Sequence, residues 1–318
     1  MTPRLVDLQV NGYAGVDFND AGLTAAGLDH ALAAMRADGV AACLPTLITA
    51  PAEALAARFA ALDRAVGESG LGPAMVPGYH LEGPFLSPEP GYAGCHPPAA
   101  MVPPDPALVA GLEAPLARPI LLLTLAPERP GAAELIRWAA GRGKLVAIGH
   151  SAAAPEDIVA AAAAGARLST HLGNALFHTQ HKFRNPMMAQ LAEDRLAASF
   201  IADGLHIPPF ALGVLLRAKG LARSLLVSDA TAAAAAPAGR YRFAGMDIVR
   251  GDDGTVRLAG GTTLAGSALR LCEAVRNVTA WGFATAAEAE RMAADTPAAL
   301  LAPAVAAHGL GWTVRGDG

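Results

Sequence analysis

Five residues able to bind a metal ion or to move a proton follow separate short apolar runs of the chain. They are Glu82, His150, His171, His206 and Asp229. Two imidazoles and a carboxylate form a common open ligand set for zinc or a similar divalent ion, with one position left for water. Water bound to such an ion loses a proton near neutral pH and becomes a nucleophile. A further carboxylate, Asp229, would take that proton and return it to a leaving group.

Each of these residues also has a structural interpretation when it is considered alone. A histidine at a strand end is more often a hydrogen-bonded structural residue, and Glu82 or Asp229 would then cap a helix or brace a loop. The occurrence of five such residues in separate segments favours the metal site. Further histidines are expected on the surface or in loops, namely His30, His178, His181 and His308. Of these, His178 and His181 lie in a loop close enough to the site to touch substrate.

The segments that must position these residues alternate between two types. Eight apolar, β-rich runs cover 4–10, 40–48, 74–82, 119–127, 144–151, 166–172, 195–204 and 223–230. Helical segments between them include 24–37, 51–67, 131–142, 155–165 and 208–219. The alternation predicts a (β/α)8 TIM barrel, whose usual size is roughly 250 residues, with an open doubly wound sheet as the alternative. In a barrel the five residues would meet at the C-terminal rim of the strands.

The pattern changes after the eighth strand. Alternating residues and Gly-Asp turns over 239–261 predict a β-hairpin insertion, and two or three C-terminal helices are expected from about residue 265 to 301. Residues 309–318 are expected to form surface chain. Because no linker and no repeat of fixed period is found, the sequence predicts a single metal-dependent hydrolase domain over residues 1–318.

Composition excludes several classes of function. A net charge of -4 and a pI near 6.1 argue against a nucleic-acid partner, which requires a basic face. The most apolar stretches, 119–127 and 158–166, are too short to span a membrane. The N-terminus lacks the features of a signal peptide, and the three cysteines have no paired spacing and are expected to be reduced. We therefore expect a cytoplasmic protein without nucleic-acid or membrane partners.

Several short motifs, taken together and in order, resemble the N-acetylglucosamine-6-phosphate deacetylases of the amidohydrolase superfamily. They are VDLQVNGYAGVDFND (6–20), HLEGPF (80–85), TLAPE (124–128), GHS (149–151), THLGNAL (170–176), ADGLH (202–206), VSDAT (227–231) and LAGSAL (264–269). Each motif alone is weak, whereas the ordered set is specific and covers most of the chain from residue 6 to about 300.

The resemblance implies roles for individual residues. Glu82, His150 and His171 would hold one catalytic metal ion, zinc being expected and Fe²⁺ or another divalent ion being the alternative. Asp229 would be the general base and acid, and His96 would polarise the acetyl carbonyl. The implied substrate contacts are Asn174, the backbone of Ala175, Arg184 and His206. The family also implies a homodimer.

Many members of the superfamily carry a His-x-His pair on the first strand for a second metal ion. Here those positions are Gln9 and Asn11, amides that are poor zinc ligands. The one-metal branch of the deacetylase family shows the same departure. We therefore interpret Gln9 and Asn11 as the remnant of a second-metal site and expect one tightly bound ion.

Three departures from the family bear on substrate more than on reaction type. The family normally has a small β-domain built from both chain ends, and we expect a form that lacks it. The segment from Asn174 to Arg184 is two residues longer than expected and includes Lys182 and two histidines. The GCHPP motif around His96 replaces a more usual His-Asn-Pro.

The sequence thus predicts a metal-dependent deacetylase acting on N-acetylglucosamine-6-phosphate or a close N-acetyl amino-sugar phosphate. Two alternatives remain open. The first is an amidohydrolase that acts on another N-acyl or cyclic amide substrate, and the altered 178–184 loop motivates it. The second is a non-catalytic, degenerate barrel, against which the intact set of Glu82, His150, His171 and Asp229 argues.

Overall fold

The computed structural model describes residues 4–311, in which eight parallel strands form a nearly closed barrel. In chain order the strands are β1 (Leu5–Val10), β2 (Gly12–Tyr13), β3 (Val16–Asp17), β4 (Val40–Ile48), β5 (Tyr79–Glu82), β6 (Ile120–Leu125), β7 (Leu145–Ile148), β8 (Leu168–Ser169), β9 (Ala197–Phe200), β10 (Ser224–Leu226), β11 (Gly239–Phe243), β12 (Met246–Arg250) and β13 (Val256–Leu258). The barrel runs β1-β4-β5-β6-β7-β8-β9-β10. The first and last strands meet at the rim, where Val10 bridges Ala230 and the Asp229 N–H donates to the Gln9 carbonyl. The predicted (β/α)8 barrel is confirmed.

Helices connect the strands and cover the outside of the barrel. They are α1 (Ala25–Ala37), α2 (Ala52–Glu68), α3 (Gly72–Met75), α4 (Pro106–Glu113), α5 (Ala132–Gly141), α6 (Pro155–Ala164), α7 (Pro186–Ala192), α8 (Pro209–Lys219), α9 (Leu271–Ala280), α10 (Ala286–Ala293) and α11 (Asp295–Ala307), with 3₁₀ turns at Pro98–Ala100 and Leu221–Arg223. Polar side chains begin several helices, since Thr24 and Asn185 accept backbone N–H groups from the first turn. None of the helices within residues 4–311 combines the length and apolar character needed to cross a membrane.

The barrel strands are buried on both faces, as a parallel sheet enclosed by helices requires. All residues of β1 and β6 are buried, and one apolar cluster joins the barrel to its surrounding helices. At the start of β5, the Tyr79 ring packs edge-on against Phe59 of α2 with centroids 5.8 Å apart. The Tyr79 hydroxyl also donates to Asp63 at 2.6 Å. These contacts fix the strand that ends in Glu82.

The insertion after β10 is a three-stranded antiparallel sheet, β11–β13, where the sequence predicted a hairpin. The added strand β13 pairs with β12 after a turn at residues 251–254. A second, smaller apolar cluster links this sheet to the barrel and includes Phe243 and Ile48. The Ala244 N–H donates to Asp17 Oδ2 at 2.7 Å, and Arg58 Nη2 donates to the Ala244 carbonyl at 2.9 Å. The insertion is therefore anchored beside β3 and α2.

Several predicted strands are shorter than expected, including 144–151, 195–204 and 223–230, and two of the shortened runs have identifiable local reasons. The run 74–82 becomes a strand only at Tyr79, because residues 72–75 form the short helix α3 with proline in its first turn. The run 166–172 is regular only over Leu168–Ser169, because His171 has a positive φ of 29° that ends strand pairing. The C-terminal helices α9–α11 continue to Ala307. Residues 312–318 lie outside the described residues, so the expected surface tail and the single domain over 1–318 stay predictions.

Candidate active site

Glu82 ends β5 and points its carboxylate into the mouth of the barrel, where the residue is 2 % exposed. Two imidazole nitrogens approach one carboxylate oxygen, Oε1: His171 Nε2 at 3.1 Å and His150 Nε2 at 3.4 Å. The three prospective ligand atoms lie within 4.8 Å of one another. The structure therefore brings the three predicted metal ligands together at the ends of β5, β7 and β8.

The hydrogen bonds of His150 test whether this group fits a metal ion. Its Nδ1 lies 2.8 Å from the Tyr92 carbonyl, which can only accept, so Nδ1 carries the proton. In the neutral ring Nε2 then presents a lone pair to Glu82 Oε1. A cation between two such acceptors satisfies both, and a backbone carbonyl behind the other nitrogen is the usual support of a ligating histidine. The donor set fits a divalent ion.

The pKa values of Glu82 and His171 also indicate that the carboxylate is stabilised by positive charge beside it. Burial raises the pKa of Glu82, but the hydrogen bond from His171 and the nearby imidazoles outweigh it and hold that pKa well below its usual range. Burial lowers the pKa of His171, yet the bond to Glu82 raises it overall. A buried carboxylate at this position thus depends on cationic neighbours.

His96 completes the cluster from the loop after β5. Its Nε2 lies 3.9 Å from Glu82 Oε2, and its Nδ1 is 2.9 Å from the Thr49 hydroxyl. Burial, and then the neighbouring His150, lower the pKa of His96 to about 3. His96 is consequently a neutral imidazole with an N–H available at physiological pH.

Asp229 lies just beyond β10, and two amides from β1 and its end hold its carboxylate. Asn11 Nδ2 donates to Oδ1 at 2.8 Å and Gln9 Nε2 donates to the same oxygen at 3.2 Å. Gln9 Nε2 also donates to Glu82 Oε1 at 3.0 Å. The two amides interpreted as a second-metal remnant therefore act as donors to Asp229, and Gln9 also connects it to Glu82. Burial, and then the nearby Glu82, raise the pKa of Asp229 to about 6, although His171 lowers it in part.

Four residues of the site have a left-handed backbone that side chains other than glycine rarely adopt. The φ angles are 51° at His150, 29° at His171, 49° at Ala175 and 49° at Asp229. Such conformations cost about 1–3 kcal/mol each and cluster where function requires a fixed side-chain direction. The strain supports a functional assignment for this rim.

Below the rim, a polar layer fills part of the barrel interior. His80 is fully buried, with Nδ1 3.1 Å from the Thr46 hydroxyl and Nε2 2.8 Å from the Thr124 hydroxyl. Thr124 in turn lies 2.8 Å from the Thr170 hydroxyl, next to His171. This chain of hydrogen bonds ties β4, β5 and β6 to the turn that carries His171.

The rim opens into a cavity of about 620 Å³. The predicted site residues that line it are Asn11, Glu82, His96, His150, His171, Asn174, Ala175, His206 and Asp229. His206 is held by Asp203, whose Oδ2 lies 2.6 Å from its Nδ1. Gln9 lies behind the lining and reaches the site through its hydrogen bonds.

The structure does not bring Arg184 into this cavity. Its guanidinium lies at the surface, where Nη2 pairs with Glu156 at 2.8 Å, and Lys182 is exposed. His178 lines the cavity, whereas His181 Nδ1 accepts the Arg184 N–H at 2.9 Å and orders the loop. Among the described residues, no lysine or arginine lines the cavity, whereas the imidazoles of His178 and His206 do.

Several residues that support the site were not predicted from the sequence to do so. The Thr49 hydroxyl and the Tyr92 carbonyl each hold a histidine, but nothing in their local sequence marks this role. Gly83 has a φ of 86°, and a Cβ there would lie 2.1 Å from Thr49 Oγ1. A Cβ on Gly94 would lie 3.0 Å from His150 Cε1. Both glycines are close-approach positions, a signal that the sequence offers only after the fold is known.

Comparison with known proteins places this geometry in a family. No family model matches the chain. The chain is 35 % identical to the N-acetylgalactosamine-6-phosphate deacetylase of Escherichia coli O157:H7, over 95 % of this chain and 78 % of that protein. It is 37 % identical to the N-acetylglucosamine-6-phosphate deacetylase of Homo sapiens, over 87 % and 68 %.

A solved structure gives the same result. The N-acetyl-D-glucosamine-6-phosphate deacetylase from Mycobacterium smegmatis, an alanine mutant in complex with N-acetyl-D-glucosamine-6-phosphate, superposes with a TM-score of 0.86 at 31 % identity. The match covers 95 % of this chain and 77 % of that one. The resemblance inferred from the ordered motifs is thus confirmed, and the chain belongs to the N-acetylglucosamine-6-phosphate deacetylase family.

Proposed function

We propose that the protein hydrolyses the N-acetyl amide of N-acetylglucosamine-6-phosphate, or of a close N-acetyl amino-sugar phosphate, to acetate and the amino sugar. The observation that carries this proposal is the buried Glu82–His150–His171 group with Asp229 beside it at the barrel rim. Relatives named for the glucosamine and for the galactosamine phosphate are about equally similar, so both sugars belong in the test. A cytoplasmic location, expected from the sequence, is part of the proposal.

Glu82, His150 and His171 would hold one divalent ion, and nitrogen and carboxylate donors with one open position suit zinc, with Fe²⁺ as the alternative. When bound, such an ion lowers the pKa of water and polarises a carbonyl. Asp229 takes a proton from the attacking water. Its Oδ1 already accepts two amide N–H groups, which leaves Oδ2 to receive that proton and to pass it to the departing amine.

The remaining residues orient the substrate. The neutral His96 donates its N–H to the oxygen on which negative charge develops. Asn174 is fixed by its own bond to the His171 carbonyl at 2.9 Å, which places it beside the reacting centre. Asn174, Ala175 and His206 would contact the sugar phosphate. Arg184 would contribute only if its loop turned it away from Glu156, so its role stays a prediction.

The substrate is tested by acetate release from metal-replete protein. We expect turnover of N-acetylglucosamine-6-phosphate, N-acetylgalactosamine-6-phosphate or both, and much slower turnover of the same sugars without phosphate. Because no lysine or arginine is found in the described cavity lining, the substrate panel also contains unphosphorylated sugars and N-acetyl amino acids. Faster turnover of these would support the alternative amidohydrolase. No acetate from any sugar phosphate would contradict the proposal.

The metal assignment predicts that Glu82→Gln loses the ion. The neutral amide removes the only negative charge among the three proposed ligands. Metal affinity should therefore fall by more than the ~10–100-fold that is lost when a residue hydrogen-bonded to a ligand is removed. Metal content after dialysis, measured by mass spectrometry, provides the readout. His30→Gln, on the outer helix α1, is the control and should bind as much metal as the original protein. Equal metal content in Glu82→Gln would show that the ligands lie elsewhere.

The assignment of Asp229 predicts that Asp229→Asn keeps its metal and loses turnover. The amide retains the shape and one acceptor oxygen but cannot take a proton, so kcat should fall by about 10²–10⁴-fold. Asp252→Asn, in the exposed turn of the insertion, serves as the matched control and should retain full kcat. If Asp229→Asn retained normal kcat with its metal bound, another residue would have to be the base.

We also propose that the protein forms a homodimer through the outer face of three consecutive helices. Large apolar side chains are exposed on α6–α8 and the loop before α7, namely Val159, Phe183, Met188, Phe210 and Val214. Phe210 is 78 % exposed and Phe183 is 69 % exposed, a density of apolar surface that monomers rarely leave in water.

Light scattering after size exclusion tests this interface. We expect twice the chain mass of 32.2 kDa, and we expect Phe210→Glu to shift the protein toward the monomer because it places a charge in an apolar contact. Val102→Glu, at an exposed valine outside these helices, should leave the dimer intact. A monomer at micromolar concentration would contradict the homodimer, and a dimer unaffected by Phe210→Glu would contradict this face.

A further inference from the structure

One side of the cavity is an apolar wall formed by Ile48, Cys95 and Phe243. All three residues line the cavity, and all three belong to the small apolar cluster that joins the insertion to the barrel. Ile48 ends β4 directly beside Glu82 in the strand ladder, and Ile48 and Phe243 are each 1 % exposed. The wall therefore borders the reacting centre and presents carbon and sulfur to it.

The polar contacts lie across the barrel from this wall. In the order of eight strands, β8 is four places from β4, so the ends of the two strands face each other across the mouth. His171 and Asn174 follow β8, and His206 follows β9. The cavity thus has an apolar side at Ile48, Cys95 and Phe243 and, opposite it, the hydrogen-bonding groups of Asn174 and His206.

Hydrogen bonds next to Phe243 and Cys95 fix the position of the wall. The backbone at Ala244, next to Phe243, bonds to Asp17 at 2.7 Å and to Arg58 at 2.9 Å. Cys95 precedes His96, whose ring is fixed by Thr49, the residue after Ile48. Because the loop is bonded to the residue after β4, and the insertion is bonded to β3 and α2 and packs on Ile48, the distance between the wall and Glu82 is set by the fold.

We propose that the acyl group of the substrate lies against Ile48, Cys95 and Phe243, and that this wall restricts the enzyme to short acyl chains. The inference rests on the proposed amide hydrolysis. The two substituents of the amide extend in opposite directions from the reacting carbonyl. The sugar phosphate needs the polar side, so the acyl chain, which has no polar group beyond the carbonyl, goes to the apolar side. Each methylene that fits or fails to fit such a pocket changes kcat/KM by about 10–200-fold.

The test compares kcat/KM for the N-formyl, N-acetyl, N-propionyl and N-butyryl derivatives of glucosamine-6-phosphate, measured by release of the amine. Ile48→Ala should raise the propionyl-to-acetyl ratio by about tenfold or more, because it opens space for the added methylene. Cys95→Leu should lower the acetyl-to-formyl ratio by about tenfold, because it fills the space of the methyl group. A ratio within one variant is independent of how much of that variant is folded or loaded with metal.

Ile248→Ala is the matched control. Ile248 is fully buried in the same apolar cluster but does not line the cavity, so its variant should keep the original acyl ratios. Unchanged ratios in Ile48→Ala and Cys95→Leu would overturn the inference, as would an equal shift in Ile248→Ala. If Ile48→Ala failed to fold, the Cys95→Leu ratio alone would decide. Loss of all acyl release from the unmodified protein would instead overturn the proposed function.

Discussion

The carboxylate of Glu82 is almost completely removed from water, and its neighbours have to offset the free energy that this desolvation costs. An isolated buried charge costs several kcal/mol even after the protein relaxes. Here the compensation comes from His171 and Gln9, which donate from other parts of the barrel, and from the cation that His150 would share with the carboxylate. The requirement to satisfy one carboxylate therefore sets the relative positions of four strand ends.

The barrel and its loops contribute in different ways to this arrangement. Strand ends supply Glu82 and Ile48, and the hydrogen-bonded layer around His80 fixes the strands beneath them. Loops and the insertion supply His96 and Phe243, which hydrogen bonds to the barrel or to residues beside it hold in place. A rigid frame can keep the chemistry of a site while the loops that form its binding surfaces vary between proteins. This division explains why the ligands identify the family, while residues predicted to contact substrate from loops, such as Arg184, lie at the surface here.

Much of the barrel and the ligand group could be predicted from the sequence, because both depend on local patterns. Alternating apolar runs and helices set the fold, and the barrel brings their ends to one rim whatever the exact boundaries. The run 166–172 was predicted as regular strand since its residue types suit one, but the positive φ at His171 depends on its tertiary bonds. The apolar wall of Ile48 and Phe243 joins segments nearly two hundred residues apart, and no short-range signal links them. The position of Arg184 was also beyond prediction, because its surface pair with Glu156 depends on how its loop folds.

The absence of a side chain at Gly83 has a consequence for how this rim can vary among related sequences. Thr49 Oγ1 occupies the space that a Cβ at position 83 would need, and the same hydroxyl holds the His96 ring. Positions 49, 83 and 96 therefore form one linked unit. A side chain at position 83 would displace the Thr49 hydroxyl and, with it, the support of the His96 ring, so any residue larger than glycine at 83 requires a compensating change at 49.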